Sequence, residues 1–225
     1  MKQLPNALTC LNLFSGCIGV FFAFHAKIEG AALCILLSGI FDFFDGFAAR
    51  LLKVKSAIGK ELDSLADVIS FGLLPAVVLF QMGQKSLPDN WQLLAFAAFL
   101  VTVFSALRLA KFNIDDRQTT DFIGLNTPTN TFFIISLPFI GQHYPGLIYH
   151  PVFLFSIVII TCWLLVSKIR LFSLKFNGLS WQHNKYKFIF LILCVLSISL
   201  LKFAASPVIL VFYILFSYIH FSKET

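Results

Sequence analysis

Charge is what this chain has least of. Only 12% of its 225 residues are Asp, Glu, Lys or Arg, about half the share usual in a soluble domain. Most long segments also lack the periodic polar face that a surface helix needs. A water-soluble globule is therefore excluded, and no nucleic-acid partner is expected. Cysteine is sparse and forms no CxxC pair: Cys10, Cys17, Cys34, Cys162 and Cys194 all lie in apolar runs. They read as small packing residues rather than zinc ligands. The start, Met1 to Asn6, leads into an apolar run without a small-residue cleavage site, so no removable leader is expected. Repeats, low-complexity tracts and linkers are absent, and residues 1–225 are expected to form a single membrane domain.

Apolar residues fill the gap. They make up 58% of the chain, with 28 phenylalanines and a mean hydropathy of +0.86. Apolar runs predict spans near 8–26, 30–52, 64–82, 91–111, 128–142, 147–166, 187–201 and 206–221, allowing for some that fall short of the ~20 residues a hydrocarbon core requires. The last two are separated only by Lys202 to Pro207, a turn or a kink. The expected fold is an all-α, polytopic helical bundle of about eight spans with both termini cytoplasmic. That orientation places 14 of the 17 basic residues inside and only Lys27, Lys85 and Lys202 outside, in keeping with the positive-inside rule.

The unusual chemistry sits on the inner side. Asp42 and Asp45 are three apart and Asp63 and Asp67 four apart, so each pair shares a helix face. The residues between, with Lys53, Lys55 and Gly59, suit a short turn joining antiparallel helices. Such a hairpin would gather four carboxylates at the membrane edge, where unpartnered acids are costly and mutually repulsive. Divalent cations remove that conflict. All-oxygen ligation favours hard ions, and four acids suffice for two of them about 3.5–4 Å apart. Gly46 and Ala49 leave room for a ligand, Arg50 can fork two donors to a phosphate, and Gly59 permits close approach of the loop. The bland alternative is a set of salt bridges, but the acids outnumber the nearby cations.

The run reads D-x2-D-G-x2-A-R-x8-G-x3-D-x3-D, with Asp42, Asp45, Gly46, Ala49, Arg50, Gly59, Asp63 and Asp67 at its fixed positions. It resembles the signature of the CDP-alcohol phosphatidyltransferases. The resemblance implies a membrane enzyme that displaces CMP from a CDP-linked lipid with an alcohol. By it, Asp42, Asp45 and Asp63 are metal ligands for two Mg2+ or Mn2+ ions. Asp67 is both a ligand and the base for the acceptor hydroxyl, and Gly46, Ala49, Arg50 and Gly59 line the CDP site. It also implies a homodimer and an active site facing the cytoplasm from the cell's inner (plasma) membrane.

Two further stretches bear on the alcohol. Asn6, Thr9 and Asn12 form a polar stripe entering the first span; helix capping and interhelical bonding compete there with contacts to the CDP-lipid. Arg108, Lys111 and Asn113 lie at the inner end of the fourth span, where a cation suits an acceptor carboxylate; snorkelling anchors are the competing reading. The Pro-Asn start, Arg108 to Asn113, and Gly124 to Pro128 resemble the membrane-spanning phosphatidylserine synthases, with Asn126 where a proline is usual. This resemblance implies CDP-diacylglycerol and L-serine as substrates. Glycerol 3-phosphate, inositol phosphate or a lipid alcohol is the alternative acceptor, and a phosphate-bearing one should need a denser basic site. Intramembrane prenyltransferases also use acids with magnesium but lack the Gly46, Ala49, Arg50 set. A cation transporter is the non-enzymatic alternative.

Overall fold

A computed structural model describes residues 3–54, 56–115, 121–173 and 181–222, without the side chains of 181–183. Arg117 and Lys175, and the basic residues Lys2, Lys55 and Lys223, lie outside them. The described chain is almost wholly helical. Helix α1 (Leu4–Phe24) starts with proline in its first turn, where no N–H is required. Its end is closed by Ala26 in the left-handed region (φ 55°), with Ala26 N–H bonding to Ala23 O and Lys27 N–H to Phe22 O. Helix α2 (Ile28–Leu51) ends the same way: Lys53 adopts φ 51°, bonds to Arg50 O, and Val54 bonds to Ala49 O. Both are Schellman-type caps without the usual glycine, and they make the tight reversals on either side of α2.

The next long helix is not uniform. It opens as α3 (Ala57–Asp67), capped by Ser56 Oγ accepting from Gly59 N–H at 3.2 Å. It widens into a π-helical stretch, Val68–Leu73, and resumes as α4 (Leu74–Ser86). Pro75 accounts for the widening: it offers no N–H to Phe71 O, four residues back, and its ring crowds that carbonyl. Thr131 supplies the missing donor, its hydroxyl bonding to Phe71 O at 2.7 Å, while Thr102 bonds to Gly72 O at 3.3 Å. Residues Asp89–Phe99 wind as a 3-10 helix that continues into α5 (Leu100–Ile114).

Gly124 stands at φ 78° ahead of α6 (Thr127–Gly141), where a Cβ would meet Leu165 O at 2.7 Å. Asn126 caps α6 by accepting from Thr129 N–H at 2.8 Å. After a single turn, α7 (Pro145–Ile148), comes α8 (Pro151–Val166). One feature was not foreseen: β1 (Asp121–Ile123) and β2 (Arg170–Phe172) form a short antiparallel pair, Phe122 opposite Leu171. Helices α9 (Trp181–Leu201) and α10 (Ala205–Phe221) close the fold. The break between them is a turn, with Lys202 at φ 50°. Tyr186 then meets His220 and Phe190 meets Tyr213, with ring centroids 6.0 and 5.6 Å apart, so the two helices run antiparallel.

Among the described residues, five helical stretches are long and apolar enough to cross a membrane, with Asn184–Phe221 counted as one. The expected span 64–82 is a longer helix, and 147–166 is broken at Tyr149 and His150 before α8 begins. Helices α6 and α8, of 15 and 16 residues, fall short of full-length spans. The core explains how the helices associate. Large apolar side chains such as Leu33, Phe43 and Leu200 are exposed, whereas Thr9, Asn12, Ser15, Ser38, Ser70 and Ser105 are buried. Helices α1 and α2 are joined by Ser15 Oγ to Cys34 O (2.9 Å) and Ser38 Oγ to Asn12 O (3.1 Å). A Cβ on Gly16 would meet Ser70 Cα at 2.9 Å. Small residues and interhelical hydrogen bonds are what hold helices together where lipid provides no hydrophobic contrast.

Candidate active site

Three of the four expected acids converge. Asp42 from α2 and Asp63 and Asp67 from α3 each offer a carboxylate oxygen within 4.8 Å of the others. The α2–α3 hairpin does this because the acids lie one turn apart on each helix and face inward. Phe43, Phe44 and Phe47, on the other side of α2, are exposed. Asp45 stands beside this trio, buried, and accepts a 2.6 Å hydrogen bond from Thr9 Oγ1. Asp67, also buried, accepts from Asn12 Nδ2 at 3.2 Å. Among the described residues, Asp63 Oδ1, which is buried, has no hydrogen-bond partner.

The amino-terminal stripe thus reaches the acids themselves. For Thr9 and Asn12, contact with the CDP-lipid competed with capping and interhelical bonding; their side-chain donors meet Asp45 and Asp67, Thr9 also borders a cavity, and Asn12 is fully buried. Neither caps α1, whose N-cap Gln3 makes no side-chain cap bond. Asn6 donates to Gln3 Oε1 at 3.2 Å and faces Gly59. Gly59 lies in the first turn of α3, not in a loop: a Cβ there would sit 2.9 Å from Asn6 Oδ1. The glycine therefore permits the approach of two helices.

Two cavities adjoin the acids. One, of about 460 Å³, is bordered by Asn6, Thr9, Asp45, Gly46, Ala49, Gly59 and Asp63. A Cβ on Gly46 would meet nothing within 4 Å, so its hydrogen leaves open space. The other, of about 680 Å³, has Asp42 and Arg50 at its polar end and Phe190, Leu191, Cys194 and Ile198 along its apolar wall. Arg50 thus opens on a different cavity from Gly46 and Ala49, and its Nε already donates to Gly46 O at 3.0 Å.

The three acceptor candidates separate. Arg108 is buried in α5, with Phe112 and Phe122 ring centroids 5.0 and 5.9 Å from its guanidinium carbon. Asp67 and Tyr213 are its electrostatic neighbours. Lys111 is exposed and shares a third cavity with Arg108. Asn113 is a tie between helices: its Nδ2 donates to Ser64 Oγ at 2.7 Å and its carbonyl accepts from Lys60 Nζ at 2.6 Å. Ser64 and Lys60 carry no motif that would have marked them as partners of Asn113. No spacing rule links positions some 50 residues apart.

The family model for CDP-alcohol phosphatidyltransferase matches residues 2–166, from α1 through α8. The chain belongs to the CDP-alcohol phosphatidyltransferase family and is a membrane-helical enzyme. It is 33% identical over 173 residues to a CDP-diacylglycerol–serine O-phosphatidyltransferase of Bacillus subtilis, covering 76% of this chain and 90% of that one. A protein of the same name from Helicobacter pylori is 32% identical over 200 residues, 86% of this chain and 80% of the relative. An archaetidylserine synthase of Methanothermobacter thermautotrophicus is 31% identical over 140 residues, 61% of this chain and 58% of its own.

Proposed function

We propose that this enzyme transfers the phosphatidyl group of CDP-diacylglycerol to L-serine, giving phosphatidylserine and CMP. The observation that carries the reading is the trio Asp42, Asp63 and Asp67 within 4.8 Å, with Asp45 beside it, in a chain whose relatives' names share serine and differ in the lipid.

The donor set fits divalent cations. It is all carboxylate oxygen, it includes the unpartnered Asp63 Oδ1, and the acids crowd together where their repulsion calls for positive charge. Asp42, Asp45, Asp63 and Asp67 would hold two ions of the magnesium or manganese type. Bound there, such ions offset the charge of the pyrophosphate as it divides.

The protein's own groups do the rest. The serine hydroxyl oxygen bonds to the phosphatidyl phosphorus as the bond from that phosphorus to the CMP oxygen breaks. Asp67 takes the hydroxyl proton, since an alcohol is a poor nucleophile near neutrality. Thr9 and Asn12 hold Asp45 and Asp67 in place, so they are positioning residues. Gly46, Ala49, Gly59 and Asn6 give the nucleotide its space, and Arg50 faces the lipid phosphate from the second cavity. Arg108 and Lys111 receive the serine carboxylate, and Asn113 fixes α5 against α3. The fold is used as eight spans in the cell membrane, with this site at the cytoplasmic end, where acyl chains stay in lipid while serine arrives from water.

Purified protein supplied with CDP-diacylglycerol, manganese and labelled acceptors tests this. Serine should give phosphatidylserine and CMP in equal amounts. Product from glycerol 3-phosphate with none from serine overturns the acceptor.

A further inference from the structure

The helix that carries Asp63 and Asp67 changes pitch directly after them. Leu74 N–H reaches back five residues to Ile69 O, so the stretch Val68–Leu73 takes up one residue more than an α-helical turn would. In an α-helix each residue turns the chain by about 100°. One inserted residue therefore sets everything before it at that angle to everything after it.

The two halves of the helix bury different things. In α4, Leu74 through Leu79 are all buried, so this half is packed on every side and has no freedom to rotate. In α3, Ile58 and Leu65 are exposed, and only Ala66 and Asp67 are buried. With α4 held in the core, an α-helical join would swing Asp63 and Asp67 about 100° away from Asp42. The wider turn lets one continuous helix serve both the core and the acids.

Groups on three elements keep that turn wide. Pro75 lacks the N–H that an α-helical join would give to Phe71 O. Thr131 on α6, fully buried, bonds to that carbonyl at 2.7 Å, and Thr102 on α5 bonds to Gly72 O at 3.3 Å. The Thr131 hydroxyl also lies 2.9 Å from Thr127 O, a bond within its own helix that a threonine in many helices makes. The bond across to Phe71 O is the one that needs the wider turn.

We propose that this π-helical stretch aims the acid site: Pro75 opens it, Thr131 and Thr102 hold it open, and the open register points Asp63 and Asp67 at Asp42. Pro75, Thr131 and Thr102 are then positioning residues, acting through the backbone that carries the two acids. The proposal rests on the acid trio being a divalent-cation site and is independent of which alcohol is the acceptor.

Manganese uptake by the metal-free full chain in micelles, read from loss of the free-ion EPR signal, tests it alongside CMP release and thermal unfolding. Pro75→Ala returns the N–H, so the stretch can close to an α-helix. Mn2+ should then bind at least about tenfold more weakly, the lower end for groups that orient metal ligands. CMP release should fall with it, while Tm stays at or above that of the unaltered chain. Loss of function without loss of stability is the signature of aiming; a proline that only supported the fold would lose both or neither. Thr131→Val removes the hydroxyl at nearly constant shape and should weaken Mn2+ about tenfold, with Thr131→Ser restoring it. Thr161→Val strips an equally buried threonine of a bond inside α8 and should leave Mn2+ binding unchanged. If Thr131→Val fails to fold, Pro75→Ala still decides. Unchanged Mn2+ affinity in either folded variant overturns the aiming role, as does a matching loss in Thr161→Val or a Pro75→Ala chain that loses Tm and Mn2+ together. An unaltered chain that takes up no Mn2+ refutes the cation site and the proposal with it, whereas uptake that the variants do not change refutes the aiming alone.

Discussion

The α1–α3 region and the α9–α10 hairpin differ in what they bury. In the first, Asp45, Asp67, Thr9, Asn12 and Ser38 are inside and bonded to one another across helices. Phe43, Phe44 and Phe47 face outward. In the second, aliphatic side chains such as Ile192, Val195, Leu196 and Leu200 are exposed. Two polar side chains of α10 meet one strand: Tyr213 OH donates to Phe172 O at 2.9 Å, and Ser217 Oγ accepts from Phe172 N–H at 3.2 Å. The family match ends at residue 166, before this hairpin. Polar groups at membrane depth tolerate little change because each needs its partner. An apolar wall needs only volume and shape, which many sequences supply. The hairpin contributes that wall to the larger cavity.

Perturbations of the two regions should therefore differ by orders of magnitude. The largest effect is expected from chelation, which should abolish CMP release, with magnesium or manganese restoring it; activity that survives exhaustive chelation would remove the metal from the account. Asp67→Asn comes next, with kcat expected to fall about 10³-fold through loss of the base. Normal turnover in single-turnover kinetics would exclude Asp67 from that role. Thr9→Val strips Asp45 of its 2.6 Å donor, and kcat/KM should fall about 10- to 100-fold, the range for a hydrogen bond to a buried charge. Gly46→Leu fills the nucleotide cavity and should raise the CDP-diacylglycerol KM about tenfold with little change for serine. If the serine KM moved instead, the two sites would have been exchanged. In the hairpin, Tyr213→Phe should cost about 1 kcal/mol by thermal unfolding. Ile192→Ala, on an exposed face, should stay within about 0.5 kcal/mol. An activity loss in Ile192→Ala as deep as that of Asp67→Asn would break the contrast.

Much of the site was legible because helical spacing is short-range. Asp42 with Asp45, and Asp63 with Asp67, needed only a 3.6-residue period to share faces, and the turn between them was plain from its lysines. The caps were less so. Ala26, Lys53 and Lys202 occupy left-handed positions where glycine would have announced a turn. Gly59 was expected in a loop and lies instead in the first turn of α3, because its contact, Asn6, is on another helix. The β1–β2 pair was not legible because its partners, Asp121–Ile123 and Arg170–Phe172, lie some 50 residues apart and are too short to show a period.

Composition and local period by themselves determined a membrane-helical chain with two acid pairs facing one way, because burial in lipid and helix geometry act on neighbours in sequence. Tertiary structure alone decided which donor meets which acid: Thr9 for Asp45, Asn12 for Asp67, Thr131 for the carbonyl freed by Pro75. It also decided that Arg50 and Gly46 open on different cavities and that Arg108 and Lys168 share one. Those pairings join residues far apart in sequence, and hydrogen-bond direction, which no periodicity encodes, selects among them.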